Sequence, residues 1–360
     1  MINLFIVFFF FVVFCYVINL RYNSHNISDF EIIISILSIF SAYLVNNFIF
    51  DPQYFPDQNE YKNAFLYIRS KYFLETIYTL KQSLIPYITA LLPFPSDYSF
   101  EMLGLYNRFI LISFFIFLRV KKILSTQLFI LIIFYPSLMI YSSLVLREVM
   151  IIIFTVSSLL LINDKKIIYS MPFIFILYLI KYQLSLAIII YILCMYSLPF
   201  FEKKIFYKKT FIFFTAIISS YIVYVLFNTR LNNDLMGMYY ENFDTPIPDY
   251  FLIKNYFSFL IITIKGFFSF LLKPFIFNGS LIKLLASLEN IIIVLITLKF
   301  IFLSLKNIYK SLPILFFLTS SYIAHGIVTF NEGAITRYKL PIILGFIILS
   351  SYNLNKSEIK

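Results

Sequence analysis

INLFIVFFFFVVFCYVINL, residues 2–20, runs nineteen residues without a formal charge. At about 1.5 Å of rise per helical residue, such a run reaches across a hydrocarbon core roughly 30 Å thick. It lacks the basic start and small-residue cleavage site of a secretory leader, so it reads as a span that is kept. A second apolar run follows at 30–49, FEIIISILSIFSAYLVNNFI. Further spans are expected near 102–118, 124–145, 148–162, 167–181, 183–200, 210–228, 281–304, 312–330 and 339–353. The chain of 360 residues is 61% hydrophobic, 21% aromatic and only 13% charged. Soluble domains run near ~45–50% apolar and ~25% charged, so a globule in water would lack polar residues to cover its surface. The expected fold is all-α: a polytopic integral membrane helix bundle with about 11–12 transmembrane helices. It forms a single transmembrane domain over 1–360 with two larger outer loops, approximately 51–101 and 228–280.

Charge sets the expected orientation. The net charge is +11, and most of the Lys and Arg fall in short loops, the bias of cytoplasmic loops. Lys121-Lys122, Lys165-Lys166, the run Lys203 to Lys209, the group Lys299, Lys306 and Lys310, and the tail to Lys360 are placed inside. The N-terminus is then outside and the C-terminus cytoplasmic. The stretch 255–277 is apolar enough to cross but carries Lys265 and Lys273, and a crossing there would flip the later basic group. It is read as an interfacial or re-entrant helix, with a true span as the alternative. No basic soluble domain exists to bind nucleic acid. Cys15 and Cys194 sit in apolar runs and offer no disulfide framework. There is no internal repeat and no Gly-rich phosphate loop, with only 7 glycines in all.

Ionisable groups at membrane level are costly and mark candidate chemistry. Asp57 and Glu60 stand three apart after Pro56. On one helical face they can serve as a general base toward a sugar hydroxyl, or Asp57 can simply cap the helix with Glu60 at N3. Pro136 should kink its helix, and the segment Tyr141-Ser142-Ser143 leads to Arg147-Glu148. Arg147 can hold a pyrophosphate in fork geometry with Glu148 orienting it, or the two close adjacent helices as an ion pair. His325, Glu332, Arg337, Tyr338 and Lys339 join the last two spans. His325 or Glu332 can be a base and Arg337 an anion ligand. Equally, His325 can be a satisfied core histidine, and Arg337 and Lys339 can snorkel to head groups. Lesser candidates are Lys181 with Gln183, Arg108, Arg69, Lys71, and the loop residues Arg230, Asp234, Glu241, Asp244 and Asp249. With 2 histidines and no close Asp-x-Asp pair, no metal site is expected.

The hydropathy pattern and these outer segments, Pro56-Asp57 to Tyr61, Pro136 to Arg147-Glu148 and Glu332 to Lys339, resemble the Wzy-type O-antigen polymerases. Similar segments occur in EpsG-like proteins and in GT-C-type membrane glycosyltransferases. The resemblance implies glycosyl transfer at the outer face of a bacterial inner membrane. A glycan on undecaprenyl pyrophosphate is the donor, and a new lipid-linked repeat unit is the acceptor. It implies no cofactor and no metal. Membrane lipids and a chain-length regulator protein are the implied partners. On these residues, Arg147, Glu148, Arg337, Tyr338, Lys181 and Arg230 would bind pyrophosphate or glycan, and Asp57, Glu60, Glu332 or His325 would act catalytically. The second outer loop departs from the family's basic pattern, offering chiefly Arg230 and Lys254. The competing readings are a GT-C-type transferase using a polyprenyl-phosphate sugar, a repeat-unit flippase, an O-antigen ligase, and a plain scaffold or channel.

Overall fold

The helix that begins after Ser28 is amphipathic in the inverted sense. Ser28 caps it: its hydroxyl accepts from Glu31 N at 3.2 Å, and Glu31 Oε2 accepts from Ser28 N at 2.8 Å. From there Phe30, Ile33, Leu37, Phe40 and Leu44 point outward, while Ser35, Ser38, Ser41 and Asn46 are buried. In water each exposed large apolar side chain would forfeit about 1.5–3 kcal/mol. The same arrangement recurs at Ile168, 84% exposed, and Phe175, 62% exposed, so the surrounding medium has to be apolar.

The computed structural model describes residues 2–22, 27–49, 56–70, 99–197, 221, 224–225, 228–237, 239–240, 244–248, 252–274, 281–306, 308–329 and 331–358. Among the described residues all regular structure is helical. The helices are α1 (Ile2–Tyr22), α2 (Asp29–Leu44, continued by a π-turn Val45–Ile49), α3 (Pro56–Ser70), α4 (Phe100–Val120), α5 (Thr126–Ile133), α6 (Pro136–Ser143), α7 (Glu148–Asn163), α8 (Ile167–Ser197), α9 (Tyr256–Leu272), α10 (Leu281–Lys306), α11 (Ile308–Val328) and α12 (Glu332–Glu358).

Among the described residues, four helices are long and apolar enough to cross a membrane: Asp29–Ile49, Phe100–Val120, Ile167–Ser197 and Glu332–Asn353. The bent pair α5–α6 makes a fifth if it counts as one span. That is fewer than the eleven or twelve expected, and the reasons are local. The expected span at 124–145 is two short helices bent by 58°, because Pro136 at the first position of α6 cannot donate into α5. The expected pair 167–181 and 183–200 is one run, Ile167–Ser197, with a kink at Lys181. Helices α7 and α9, 16 and 17 residues long, reach about 24–26 Å at 1.5 Å per residue. The span expected at 210–228 lies almost wholly outside the described residues.

The chain divides into two compact units, Met1–Leu160 with Ile347–Lys360, and Leu161–Phe346. In the first unit α4 packs against α1, α2 and α6. Its centre is Arg108, fully buried. The Arg108 Nε donates to Ser38 O at 3.3 Å. One terminal nitrogen donates to Ser142 Oγ at 2.7 Å and Leu138 O at 3.4 Å. The other donates to Ser38 Oγ at 2.6 Å and to Ile133 O. All five guanidinium donors therefore end on neutral oxygens of α2, α5 and α6. The Ile133 carbonyl is one that the break at Pro136 denies a helical partner. Arg108 stitches that break, so this sequence candidate is structural. At the other end of α4, Arg119 Nε donates to Glu31 Oε1 at 2.8 Å and a terminal nitrogen to Thr126 Oγ1 at 2.7 Å.

In the second unit α11 packs against α8 and α9, and α10 lies beside α9 and α11. Gly266 of α9 and Gly326 of α11 meet at the crossing. A Cβ on either would collide with the backbone of the other, so the close approach requires both glycines.

Candidate functional site

The second unit gathers most of its chemistry around the kink in α8. Lys181 has φ −151° and ψ 76°, a non-helical residue inside an otherwise helical run. Neither Pro nor Gly stands there. What marks the position in the sequence is a polar group, Lys181, Tyr182, Gln183 and Ser185, within an apolar helix; all four are buried. Non-helical backbone at membrane depth is tolerated where it lines protein or a cavity.

A short helical stretch at 228–237 supplies the partners. Its Leu231 and Leu235, one turn apart, are buried with Ile253, Phe259, Ile327 and Val328. Asn232 pins the returning chain, donating to Ile253 O at 3.0 Å and accepting from Ile253 N at 2.9 Å. The stretch can then present Arg230 and Asp234, also one turn apart, to a single target. That target is Tyr182. Its hydroxyl donates to Asp234 Oδ2 at 2.5 Å, and the Arg230 guanidinium lies 3.9 Å from its ring centroid.

On the other side of the kink, Lys181 Nζ sits 3.2 Å from the centroid of the Tyr338 ring. Arg337 lies 5.3 Å from the same ring. The His325 ring is 5.7 Å from both Tyr338 and Phe270. His325 is 1% exposed, and its Nδ1 is 2.9 Å from Ser321 O. A carbonyl only accepts, so Nδ1 carries the proton. The Lys181 ammonium is within Coulombic range of that imidazole. The satisfied-core reading of His325 is the one the geometry matches.

Lys339 does not reach toward head groups. It is 2% exposed and donates to Lys273 O at 2.5 Å, Leu271 O at 3.1 Å and Asn290 Oδ1. Asn290 Nδ2 donates in turn to Leu272 O at 2.8 Å. Together they close the C-terminal carbonyls of α9 with a cation where the helix dipole favours one.

The first unit brings the other two sequence clusters together. The link Leu144–Arg147 between α6 and α7 is non-helical. It is held from three sides: Asn46 Nδ2 donates to Ser143 O at 2.7 Å, Asn107 Nδ2 to Leu144 O at 2.7 Å, and Gln58 Oε1 accepts from Val145 N at 2.9 Å. Tyr61 packs against Leu144, Leu146 and Val145. So α3, carrying Asp57 and Glu60, is docked on the segment that leads to Arg147 and Glu148. Glu148 is 2% exposed, which places it in the interior and not on an exposed outer hairpin. Helix α3 starts at Pro56, so Asp57 lies in its first turn instead of capping it, and Glu60 is exposed. Arg69 lies over Phe65 at 5.3 Å. Glu332 opens α12, half-buried. Asp244 is exposed. Glu241, Asp249 and Lys71 lie outside the described residues.

The second unit therefore forms two groups at the α8 kink, Arg230 and Asp234 on Tyr182, and Lys181, Arg337 and His325 around Tyr338, from residues that the sequence leaves in three separate places. Sequence reasoning missed Tyr182 and undervalued Asp234. The signal that could have found them is the doubled one-turn spacing of Arg230/Asp234 and Leu231/Leu235. Chemically the cluster offers cations for an anionic group, ring faces that suit sugars or cations, and a carboxylate held in one orientation. Among the described residues no group of three or more His, Cys, Asp and Glu could hold a metal ion. No family model, no curated protein and no solved structure matches the chain.

Proposed function

We propose that this chain is a membrane glycosyltransferase of the O-antigen polymerase type. It extends undecaprenyl-pyrophosphate-linked repeat units at the outer face of a bacterial inner membrane, with its N-terminus outside and C-terminus cytoplasmic. The observation that carries the reading is the convergence, in a lipid-facing helical unit, of Lys181, Arg230 and Arg337 with Tyr182, Tyr338 and a positioned carboxylate. A pyrophosphate leaving group needs cations that strengthen their hold as charge develops, and sugar rings suit aromatic faces. Lys181, Arg230 and Arg337 lie over ring faces, and the Asp234 carboxylate stands beside Tyr182. Arg147 and Glu148 in the first unit are the remaining binding candidates. Asp57, Glu60 and Glu332 remain candidates for the catalytic role.

The test is purified protein in lipid nanodiscs with a synthetic polyprenyl-pyrophosphate oligosaccharide, analysed by gel. A ladder of lengthening glycans, with release of polyprenyl pyrophosphate, is the expected result. A single added sugar from a polyprenyl-phosphate donor would replace this reading with the GT-C-type one. Transbilayer movement of the intact donor without new glycosidic bonds would replace it with the flippase.

A further inference from the structure

Resting on that reading of function, we infer that Asp234, oriented by Tyr182, is the group that accepts the proton of the attacking sugar hydroxyl. The geometry separates it from Glu289, Asp244, Glu332 and His325 of its unit. Glu289 is buried at 8% exposure, one residue from the Asn290 that binds Lys339, and within Coulombic range of that ammonium. Asp244 is exposed at a turn with φ 51°. Glu332 opens α12, and its backbone carbonyl accepts from Thr336 Oγ1 at 3.0 Å. His325 is packed between Phe270 and Tyr338 and only 1% exposed, which closes it to an incoming sugar hydroxyl. Asp234 is different in kind. It is half-buried, and one oxygen, Oδ2, is held at 2.5 Å by the phenol that follows the α8 kink. Among the described residues no other hydrogen bond reaches its carboxylate, and Oδ1 is the oxygen that the phenol does not engage. A base held by a third group that is itself held in place is the arrangement that proton abstraction requires. Arg230 completes it by stacking on the Tyr182 ring, so one turn of helix grips both the hydroxyl and the face of the orienting phenol.

The step balances without a co-reactant. The acceptor hydroxyl gives its proton to Asp234 Oδ1 while its oxygen forms the bond to the donor's anomeric carbon. The bond from that carbon to the pyrophosphate oxygen breaks, and its electron pair leaves with the pyrophosphate, beside Lys181 and Arg337. Asp234 is then the catalytic residue and Tyr182 a positioning residue.

The experiment uses the full chain in nanodiscs with the synthetic lipid-linked donor. Asp234→Asn should lower kcat by about 100-fold or more, with KM for the donor little changed and the thermal midpoint retained. Azide needs no deprotonation, so adding it should restore turnover in Asp234→Asn as glycosyl azide, which mere structural damage would not allow. Asp234→Glu should recover part of the polymerising rate. Tyr182→Phe should lower kcat less than Asp234→Asn without shifting KM. Polymerisation by Asp234→Asn at the wild-type rate overturns the assignment. So does an impaired Asp234→Asn that azide does not rescue. Wild-type protein that makes neither polymer nor glycosyl azide brings down the reading of function itself, a distinct outcome.

Discussion

Both units bury a basic side chain among apolar helices, and they do it in opposite ways. Arg108 ends all five donors on fixed oxygens, each from a helix it holds in place. No ligand can take one of those donors without breaking the fold. Lys181 lies on the face of Tyr338 and Arg230 on the face of Tyr182, contacts each worth about 0.5–2 kcal/mol. Burial alone does not describe a basic side chain; its contacts do, and those of Lys181 include an aromatic face that Arg108 lacks.

That contrast is open to attack through stability measurements in detergent. The largest effect should come from Arg108→Ala, which strands the Ile133, Leu138 and Ser38 carbonyls and leaves a cavity. A loss of about 3–5 kcal/mol is expected, read as a collapse of the thermal midpoint; an unchanged midpoint would erase the distinction. Next comes Gly326→Ala, whose Cβ meets Gly266 backbone. Overpacking of this kind costs about 1–3 kcal/mol, and donor turnover should fall with it because α9 and Phe270 move off His325. Lys339→Met removes the ammonium that closes the α9 carbonyls and should cost about 1–3 kcal/mol. Lys181→Met should change stability less than Arg108→Ala, since removing a buried ammonium also removes its desolvation cost. Its donor KM should nonetheless rise sharply, the signature that separates it from Arg108. Smallest is Gly237→Ala, where a Cβ meets nothing within 4 Å. With that space open in a helical residue, the change should be neutral or stabilising by up to about 1 kcal/mol. Measurable harm there would mean that the 228–237 stretch is held more tightly than its packing indicates.

Part of this is legible in the order of residues alone. The nineteen uncharged residues at 2–20 and the run at 30–49 declare a lipid environment through composition and length. Pro136 announces the bend between α5 and α6 through its missing N–H, and the bend is there at 58°. His325 and Lys181 stand out, because an ionisable group inside an apolar run needs a reason; Arg230 and Arg337 stand out as basic groups in the outer segments. Their company is not legible in the same way. Nothing in the spacing of Lys181, Asp234 and Tyr338 along the chain says that they meet around one kink. Nothing in the identity of Lys339 says that it points inward while Tyr338, its neighbour, points to Lys181.

The amino-acid sequence by itself determined the helical class, the apolar character and the break at Pro136, because hydrophobic length, helical period and a missing N–H are local quantities. The tertiary structure alone decided which polar groups are structure and which form a site. That distinction is a matter of partners across long sequence separations, set by the Gly266–Gly326 crossing, by the kink at Lys181 and by the turn of helix that carries Arg230 and Asp234 onto Tyr182. A buried charge is settled by where its hydrogen bonds end, and only packing in three dimensions brings those ends together.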